Sequence, residues 1–334
     1  MRRVALSMIA LLVLLSFALF ACIPSRGQQE VDSRQQTAVK PQSPTPARRE
    51  PLSTVGFPSP PPTLPAPSVT PAPQPARTQA ATSAFPPHGL ADSIDSVIAQ
   101  SGGRWHIIIQ PLDGGEPLYV RGPERRITIA SVVKVPLAML FFAALEENGI
   151  PEADLPAYLQ STGVGGRTFD QLLRAMLVVS EEKATAILED YTRRTLNLPA
   201  QQRAWGWEHL DLEARRDTAA GVADIFAQLY RGEHISPTAR ALILGYLSDY
   251  TPNDDTRIGV LRPQLPPGAQ IYNKRGSLLT PYVVADVAII ENPSGTDYLL
   301  VIFAYNGEPR TTYERLDAAV AEIAQAFWDF VAKR

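Results

Sequence analysis

A serine and a lysine three positions apart are the clearest sign of chemistry in this sequence. Ser131 and Lys134 open an apolar segment that reads as a helix, with Pro136 in its first turns, where proline is tolerated. Residues three apart on a helix share a face, so the Lys134 amine can lie beside the Ser131 hydroxyl. Burial near other cations would leave that amine neutral and able to accept the serine proton. The helix N-terminus could stabilise a developing oxyanion. The alternative is an ordinary surface serine and lysine.

The same spacing recurs at Ser180 and Lys183, without a preceding strand pair or a following apolar helix. Other catalytic signatures are missing, since the sequence has neither a Gly-x-Ser-x-Gly elbow nor the Gly-Lys dipeptide of a P-loop. The histidines show no paired ligand spacing; they are His88, His106, His209 and His234. Nothing points to a Ser-His-Asp triad, although none is excluded. We expect no metal or organic cofactor.

Hydrophobic periodicity places these residues in a fold of class α+β. It predicts helices at about 90–101, 131–147, 169–179, 183–195, 219–230, 237–250 and 313–334, and strands at 105–110, 118–121, 271–277, 283–291 and 298–305. Strands near both ends of this region favour a single five-stranded antiparallel sheet flanked by N- and C-terminal helices. The helices between them predict an inserted all-helical subdomain at about 141–264. A cleft between the two parts would hold the site.

Three segments in this order resemble class A β-lactamases and their penicillin-binding relatives. Residues 127–136 (ITIASVVKVP), followed by a helix ending in Glu-Glu-Asn-Gly at 146–149, resemble the nucleophile segment. Ser180-Glu181-Glu182 follows a helix carrying Leu173 and Met176 and resembles the Ser-Asp-Asn element; Lys274-Arg275-Gly276-Ser277 resembles the Lys-Thr-Gly element. The resemblance covers residues 90–334 and implies that family's fold.

The resemblance also implies roles for the matching residues. Ser131 would be the acylated nucleophile and Lys134 its activating partner. Ser180 would relay protons toward the leaving nitrogen. Lys274 would supply positive potential for the substrate carboxylate and for Lys134. The backbone N–H groups of Ser131 and Ser277 would form the oxyanion hole. Together these supply the nucleophile, proton acceptor, proton donor and oxyanion donors that acyl transfer needs.

Three departures from the family pattern bear on activity. Glu182 replaces an asparagine whose amide donates to the substrate carbonyl, and an ionised carboxylate cannot donate; paired with Lys134, it would hold that amine protonated. Arg275 replaces the threonine hydroxyl, although a guanidinium still suits a carboxylate. The Glu-x-x-Leu-Asn loop that hydrolyses the acyl-enzyme is not intact. Glu208 is its nearest match, either as a deacylating residue or as a solvated loop carboxylate beside Trp205 and Trp207.

The N-terminal part has a different composition. Residues 23–88 contain sixteen of the 31 prolines and only two aromatic residues, so we expect a disordered linker. Two arginines and an apolar run precede Cys22, the single cysteine, which follows Leu-Phe-Ala in a pattern resembling a bacterial lipobox. That resemblance implies a signal peptide at 1–22, a lipid on Cys22 and an extracytoplasmic domain at 89–334. A retained membrane helix is the alternative.

The sequence therefore favours a membrane-tethered serine hydrolase that acts on β-lactam amides. A D-alanyl-D-alanine peptidase-like or esterase-like penicillin-binding enzyme is one alternative, and a weakened lipoprotein that binds peptidoglycan or a protein partner is another. The net charge of −3, without a basic stripe, argues against nucleic-acid binding. We expect a monomer whose ligand is a β-lactam or a peptidoglycan peptide. Because there is one cysteine, intrachain disulfides and cysteine-zinc sites are excluded.

Overall fold

The computed structural model describes residues 89–249, 256–293, 295–307 and 311–332. These residues belong to one compact unit, Thr78–Arg334. The predicted signal peptide, Cys22 and the proline-rich linker lie outside the described residues. Within the described ranges, no helix is both long enough and apolar enough to cross a membrane.

The elements follow the predicted order: strands of the main sheet lie near both ends of the domain, and the segment between them is mainly helical. The α-helices are α1 (Leu90–Ser101), α2 (Lys134–Glu147), α3 (Leu155–Ser161), α4 (Phe169–Leu177), α5 (Glu182–Thr195), α6 (Leu198–Ala204), α7 (Ala219–Arg231), α8 (Pro237–Ser248) and α9 (Tyr313–Val331). The strands are β1 (Arg104–Pro111), β2 (Tyr119–Arg121), β3 (Ile127–Thr128), β4 (Gly163–Val164), β5 (Arg167–Thr168), β6 (Arg216–Asp217), β7 (Gln270–Leu279), β8 (Tyr282–Glu291) and β9 (Tyr298–Tyr305).

The main sheet has five antiparallel strands in the order β2-β1-β9-β8-β7. Its central strands β8 and β9 are buried on both faces, because helices cover both sides. Alternate residues of β8 accordingly enter two different apolar clusters. Val287 and its odd-numbered neighbours face the cluster that includes α2, α4, α7 and α8, whereas Val284, Ala288 and Ile290 face α1 and α9. The α+β class and the flanking terminal helices are confirmed.

Three features differ from the sequence-based expectation. Two short helices, α3 and α6, were not predicted individually. The nucleophile segment starts as a short 3-10 helix, Ala130–Val133, and regular α-helix begins only at Lys134. The subdomain predicted to be all-helical also contains the two-stranded ladder β4–β5 and the strand β6, which pairs with β3 outside that subdomain. Strands of two residues are too short to give a periodic hydrophobic pattern, so tertiary contacts determine whether they form.

Candidate active site

Ser131 sits in a constrained turn between β3 and α2. Ala130, directly before it, has a φ of +48°, which is rare for a residue with a side chain. The main chain is held there because the Ile129 N–H donates to the Arg215 carbonyl at 2.8 Å, next to the β3–β6 ladder. Backbone strain of this kind persists only where the surroundings over-determine it. It fixes the Ser131 hydroxyl at the floor of a cleft.

Lys134 lies one helical turn on and is fully buried. Its Nζ donates to Ser131 Oγ at 3.1 Å, to the Ser180 carbonyl at 2.7 Å and to Glu182 Oε1 at 2.7 Å. Burial lowers the pKa of Lys134, while the bond to Glu182 raises it and the charge of Arg215 lowers it. The predicted serine–lysine contact is present, and so is the predicted ion pair between Lys134 and Glu182.

Ser180 and Lys274 close the opposite side of this arrangement. Ser180 has a φ of +59° and lies just before α5, and its hydroxyl accepts a hydrogen bond from Lys274 on β7. Lys274 is 3% exposed, and burial, followed by the charge of Lys134, lowers its pKa to about 7. Lys134 thus binds the Ser131 hydroxyl and the Ser180 backbone carbonyl, whereas Lys274 binds the Ser180 hydroxyl.

Glu182 has a second partner that the sequence did not reveal. Its Oε2 accepts a hydrogen bond from Arg215, which has a φ of +52°. The Arg215 bond, followed by that from Lys134, lowers the pKa of Glu182 to about 2, so this carboxylate is ionised at neutral pH. Local spacing gave no signal for this partner, because Arg215 lies 33 residues from Glu182 along the chain.

The far wall of the cleft is built around a buried arginine. Gly276 lets β7 approach the nucleophile turn: a Cβ there would lie 3.1 Å from the Ile129 carbonyl oxygen. Arg257, 4% exposed, donates to the Gly276 carbonyl at 3.1 Å and to Ser277 Oγ at 2.9 Å. It also donates to Tyr313 Oη at 2.6 Å. Sequence reasoning missed Arg257, because its partners are distant along the chain.

Most of the predicted site residues line one cleft of about 510 Å³. The residues lining it are Ser131, Val178, Val179, Ser180, Glu182, Arg257, Lys274, Arg275, Ser277, Tyr313 and Asp317. Arg275 reaches this wall and also donates to Thr256 Oγ1 at 3.1 Å, so part of its guanidinium is engaged outside the nucleophile region. Cations outnumber carboxylates along these walls, which suits an anionic ligand.

The structure does not bring Glu208 to this cleft. Glu208 lines a different cavity of about 180 Å³, together with Trp207, Asp217 and Asp224. Trp207 is 4% exposed and donates from Nε1 to Gln228 Oε1 at 2.7 Å, so burial of this indole holds the loop in its place. Glu208 is therefore not among the residues that line the Ser131 cleft.

Comparison with known proteins identifies the family of the chain. The model of the β-lactamase enzyme family matches residues 89–331, well over half of the chain. The chain belongs to the β-lactamase enzyme family. No curated protein sequence matches it.

The solved structures that resemble this β-lactamase family member share its fold. A β-lactamase from Chitinophaga pinensis DSM 2588 has a TM-score of 0.59 and 16% identity, covering 72% of this chain and 99% of that chain. The TLA-1 extended-spectrum β-lactamase has a TM-score of 0.60 and 16% identity, and the match covers 72% of this chain and 98% of that chain. An ancestral class A β-lactamase has a TM-score of 0.56 and 21% identity, and the match covers 72% of this chain and 99% of that chain. At these identities the similarity establishes the class A β-lactamase fold. Family and fold together support a class A β-lactamase-like serine hydrolase.

Proposed function

We propose that this protein opens β-lactam amides through an acyl-enzyme on Ser131 and releases the product slowly. The contact between Lys134 Nζ and Ser131 Oγ at 3.1 Å carries this proposal. It places a buried amine, whose pKa burial lowers, within reach of the proton that the nucleophile must lose. A surface serine and lysine would not share a buried contact of this kind.

Acylation follows directly from the arrangement of these groups. Ser131 Oγ attacks the carbonyl carbon of the lactam, and its proton passes to neutral Lys134. The carbon–nitrogen bond of the ring breaks, and the leaving nitrogen takes the proton of the Ser180 hydroxyl, which is replaced by a proton from protonated Lys274. Backbone N–H groups of Ser131 and Ser277 would stabilise the tetrahedral oxyanion, as the family resemblance implies. Cationic Arg257 and Lys274 favour a substrate that carries a carboxylate.

Slow release follows from the carboxylates available to activate water. Glu208 lines a separate cavity. Glu182 lines the Ser131 cleft, but its two oxygens are bound by Lys134 and Arg215, and its pKa of about 2 makes it a weak base. General-base catalysis is most effective when the pKa of the base lies near the working pH. We therefore expect the acyl-enzyme to accumulate.

Two other functions remain candidates because specific observations favour them. The separate cavity that Glu208 lines also favours a D-alanyl-D-alanine peptidase-like or esterase-like penicillin-binding enzyme, which would hydrolyse its acyl-enzyme slowly and whose substrate would be a linear peptidoglycan peptide. The ion pair between Lys134 and Glu182 at 2.7 Å favours a binding protein that has lost catalysis, because it stabilises the protonated amine.

Intact mass measured over time after mixing with a fluorescent penicillin separates these functions. An adduct that forms and decays over many minutes supports the proposed function, and rapid loss of the adduct would refute slow release. A permanent adduct, with release of D-alanine from a peptide substrate, favours the penicillin-binding alternative. No adduct refutes acylation. Ser131→Ala should abolish labelling, whereas the matched control Ser161→Ala, at the exposed end of α3, should not change it.

We also propose that the protein is extracytoplasmic and tethered to a bacterial membrane by a lipid on Cys22. The support is the order of two arginines, an apolar run and Leu-Phe-Ala before the single cysteine. Labelled fatty acid should be incorporated into the wild type and not into Cys22→Ala, which should leave the membrane fraction. Equal incorporation in both would contradict the anchor.

A further inference from the structure

The amine that must accept the serine proton has three charged side chains around it. Glu182 contacts it directly, and Arg215 and Lys274 contribute positive potential. Behind Lys274 lie Asp286 and Arg257, which affect that lysine with opposite signs. Of these groups, only Glu182 both touches Lys134 and favours its charged form. A free carboxylate at 2.7 Å would keep the amine protonated and unable to act as a base.

Arg215 is placed so that this carboxylate is not free. Its guanidinium binds Oε2 of Glu182, while Lys134 binds Oε1. The Arg215 side chain is 34% exposed and that of Glu182 is 56% exposed, so the pair is open to solvent, whereas the Lys134 side chain is fully buried. The carboxylate is therefore shared between a solvated guanidinium and a buried ammonium.

The main chain holds Arg215 in register with the nucleophile. Its φ of +52° is unfavourable for an arginine, and its carbonyl accepts the Ile129 N–H at 2.8 Å. The next two residues form β6, which pairs with β3 directly before the Ser131 turn. The same short ladder thus positions both the nucleophile and the guanidinium that faces Glu182.

We propose that Arg215 is a positioning residue for acylation. By binding the second oxygen of Glu182, it offsets the negative charge that would otherwise hold Lys134 in its protonated form. This inference rests on the proposed acylation of Ser131. It assigns Arg215 no contact with substrate, and its effect is exerted through Glu182 and Lys134.

The test is the pH dependence of acylation in Arg215→Gln. The second-order rate constant for adduct formation with a fluorescent penicillin is measured from pH 5.5 to 9.5 with the purified chain. In the wild type the rate should rise with pH as the coupled pair Lys134 and Lys274 loses a proton. In Arg215→Gln the rising limb of the curve of rate constant against pH should move to higher pH by about one unit. The rate constant at pH 6 should then be about tenfold lower, and the plateau at alkaline pH should be unchanged.

A merely structural role for Arg215 would lower the rate equally at every pH, and that result overturns the inference. Arg215→Lys keeps the positive charge, so its rate of adduct formation should rise over the same pH range as that of the wild type. Arg194→Gln removes an arginine from the exposed end of α5, where it pairs with Asp190 at 2.5 Å, and should have no effect on the limb. Movement of the limb in this control as large as in Arg215→Gln would show a general charge effect and overturn the proposal.

Glu182→Gln provides a second measurement if Arg215→Gln does not fold. Removing the carboxylate should move the limb to lower pH, and an upward shift or no shift overturns the proposal. In the Glu182→Gln background, Arg215→Gln should move the limb less than it does in the wild type. If the wild type forms no adduct at any pH, the proposed function itself is refuted. If the wild type forms an adduct but its rate has the same pH dependence in Arg215→Gln, only the inference about Arg215 is refuted.

Discussion

Asp217 is a carboxyl group buried at a cost that depends on pH. It is 1% exposed on β6, its Oδ1 accepts the Thr218 N–H at 2.7 Å, and within the described part of the chain its Oδ2 has no hydrogen-bond partner. Burial raises the pKa of Asp217 from 3.8 to about 6. The folded state therefore holds this proton more tightly than the unfolded state does.

The sign and size of the effect follow from this difference. Because the folded pKa is raised, the contribution of Asp217 to stability is most favourable below pH 4 and declines as the pH rises to 6. At about 1.36 kcal/mol per pH unit, ionisation costs at most about 3 kcal/mol above pH 6. Asp217→Asn cannot ionise, so relative to the wild type it should gain up to about 3 kcal/mol between pH 4 and pH 7.5. The unpartnered amide adds a constant penalty of about 1–3 kcal/mol at every pH.

Urea unfolding at pH 4, 5, 6 and 7.5 measures this difference. The quantity that matters is the free energy of unfolding of Asp217→Asn minus that of the wild type, followed across pH, because other groups titrate equally in both. Asp113→Asn is the matched control: Asp113 lies in an exposed turn, and its difference should stay within about 0.5 kcal/mol at every pH. A flat difference for Asp217→Asn, or one that falls as the pH rises, would refute the reasoning.

Three further outcomes are expected. Glu182→Asn replaces an ionised carboxylate with an amide donor and should raise the rate of acylation by a penicillin about tenfold, measured by adduct formation at pH 7; an unchanged or lower rate would contradict the assigned position. Arg257→Ala removes a buried guanidinium that donates five hydrogen bonds, and it should lower the free energy of unfolding by about 3–5 kcal/mol. The control Arg315→Ala removes an arginine that forms a half-exposed ion pair with Glu322, and it should lower the free energy of unfolding by less than about 1 kcal/mol. A chain starting at Gly89 should acylate at the full-length rate in solution, and activity that falls with linker length would show that the domain boundary is misplaced.

The nucleophile segment shows how far local sequence can predict a site. Ser131 and Lys134 are three residues apart, so helical geometry alone brings them together, and the 3.1 Å contact agrees with that prediction. Ser180 and Lys274 were predicted through the family resemblance, and both line the Ser131 cleft. The long helices and the strands of the sheet were also predictable, because their apolar residues repeat with periods of 3.6 and 2.

The sequence by itself determined the α+β order of elements and the pairing of Ser131 with Lys134, because each depends on residues close together along the chain. Only the tertiary structure decided which charges surround them. Arg215 is 33 residues from Glu182, and Arg257 is 60 residues from Asp317, so no spacing rule could pair them. Glu208 was placed by burial of Trp207, a packing event that outweighed the local resemblance. Whether Lys134 can act as a base is set by these long-range contacts, since burial and neighbouring charges determine its protonation.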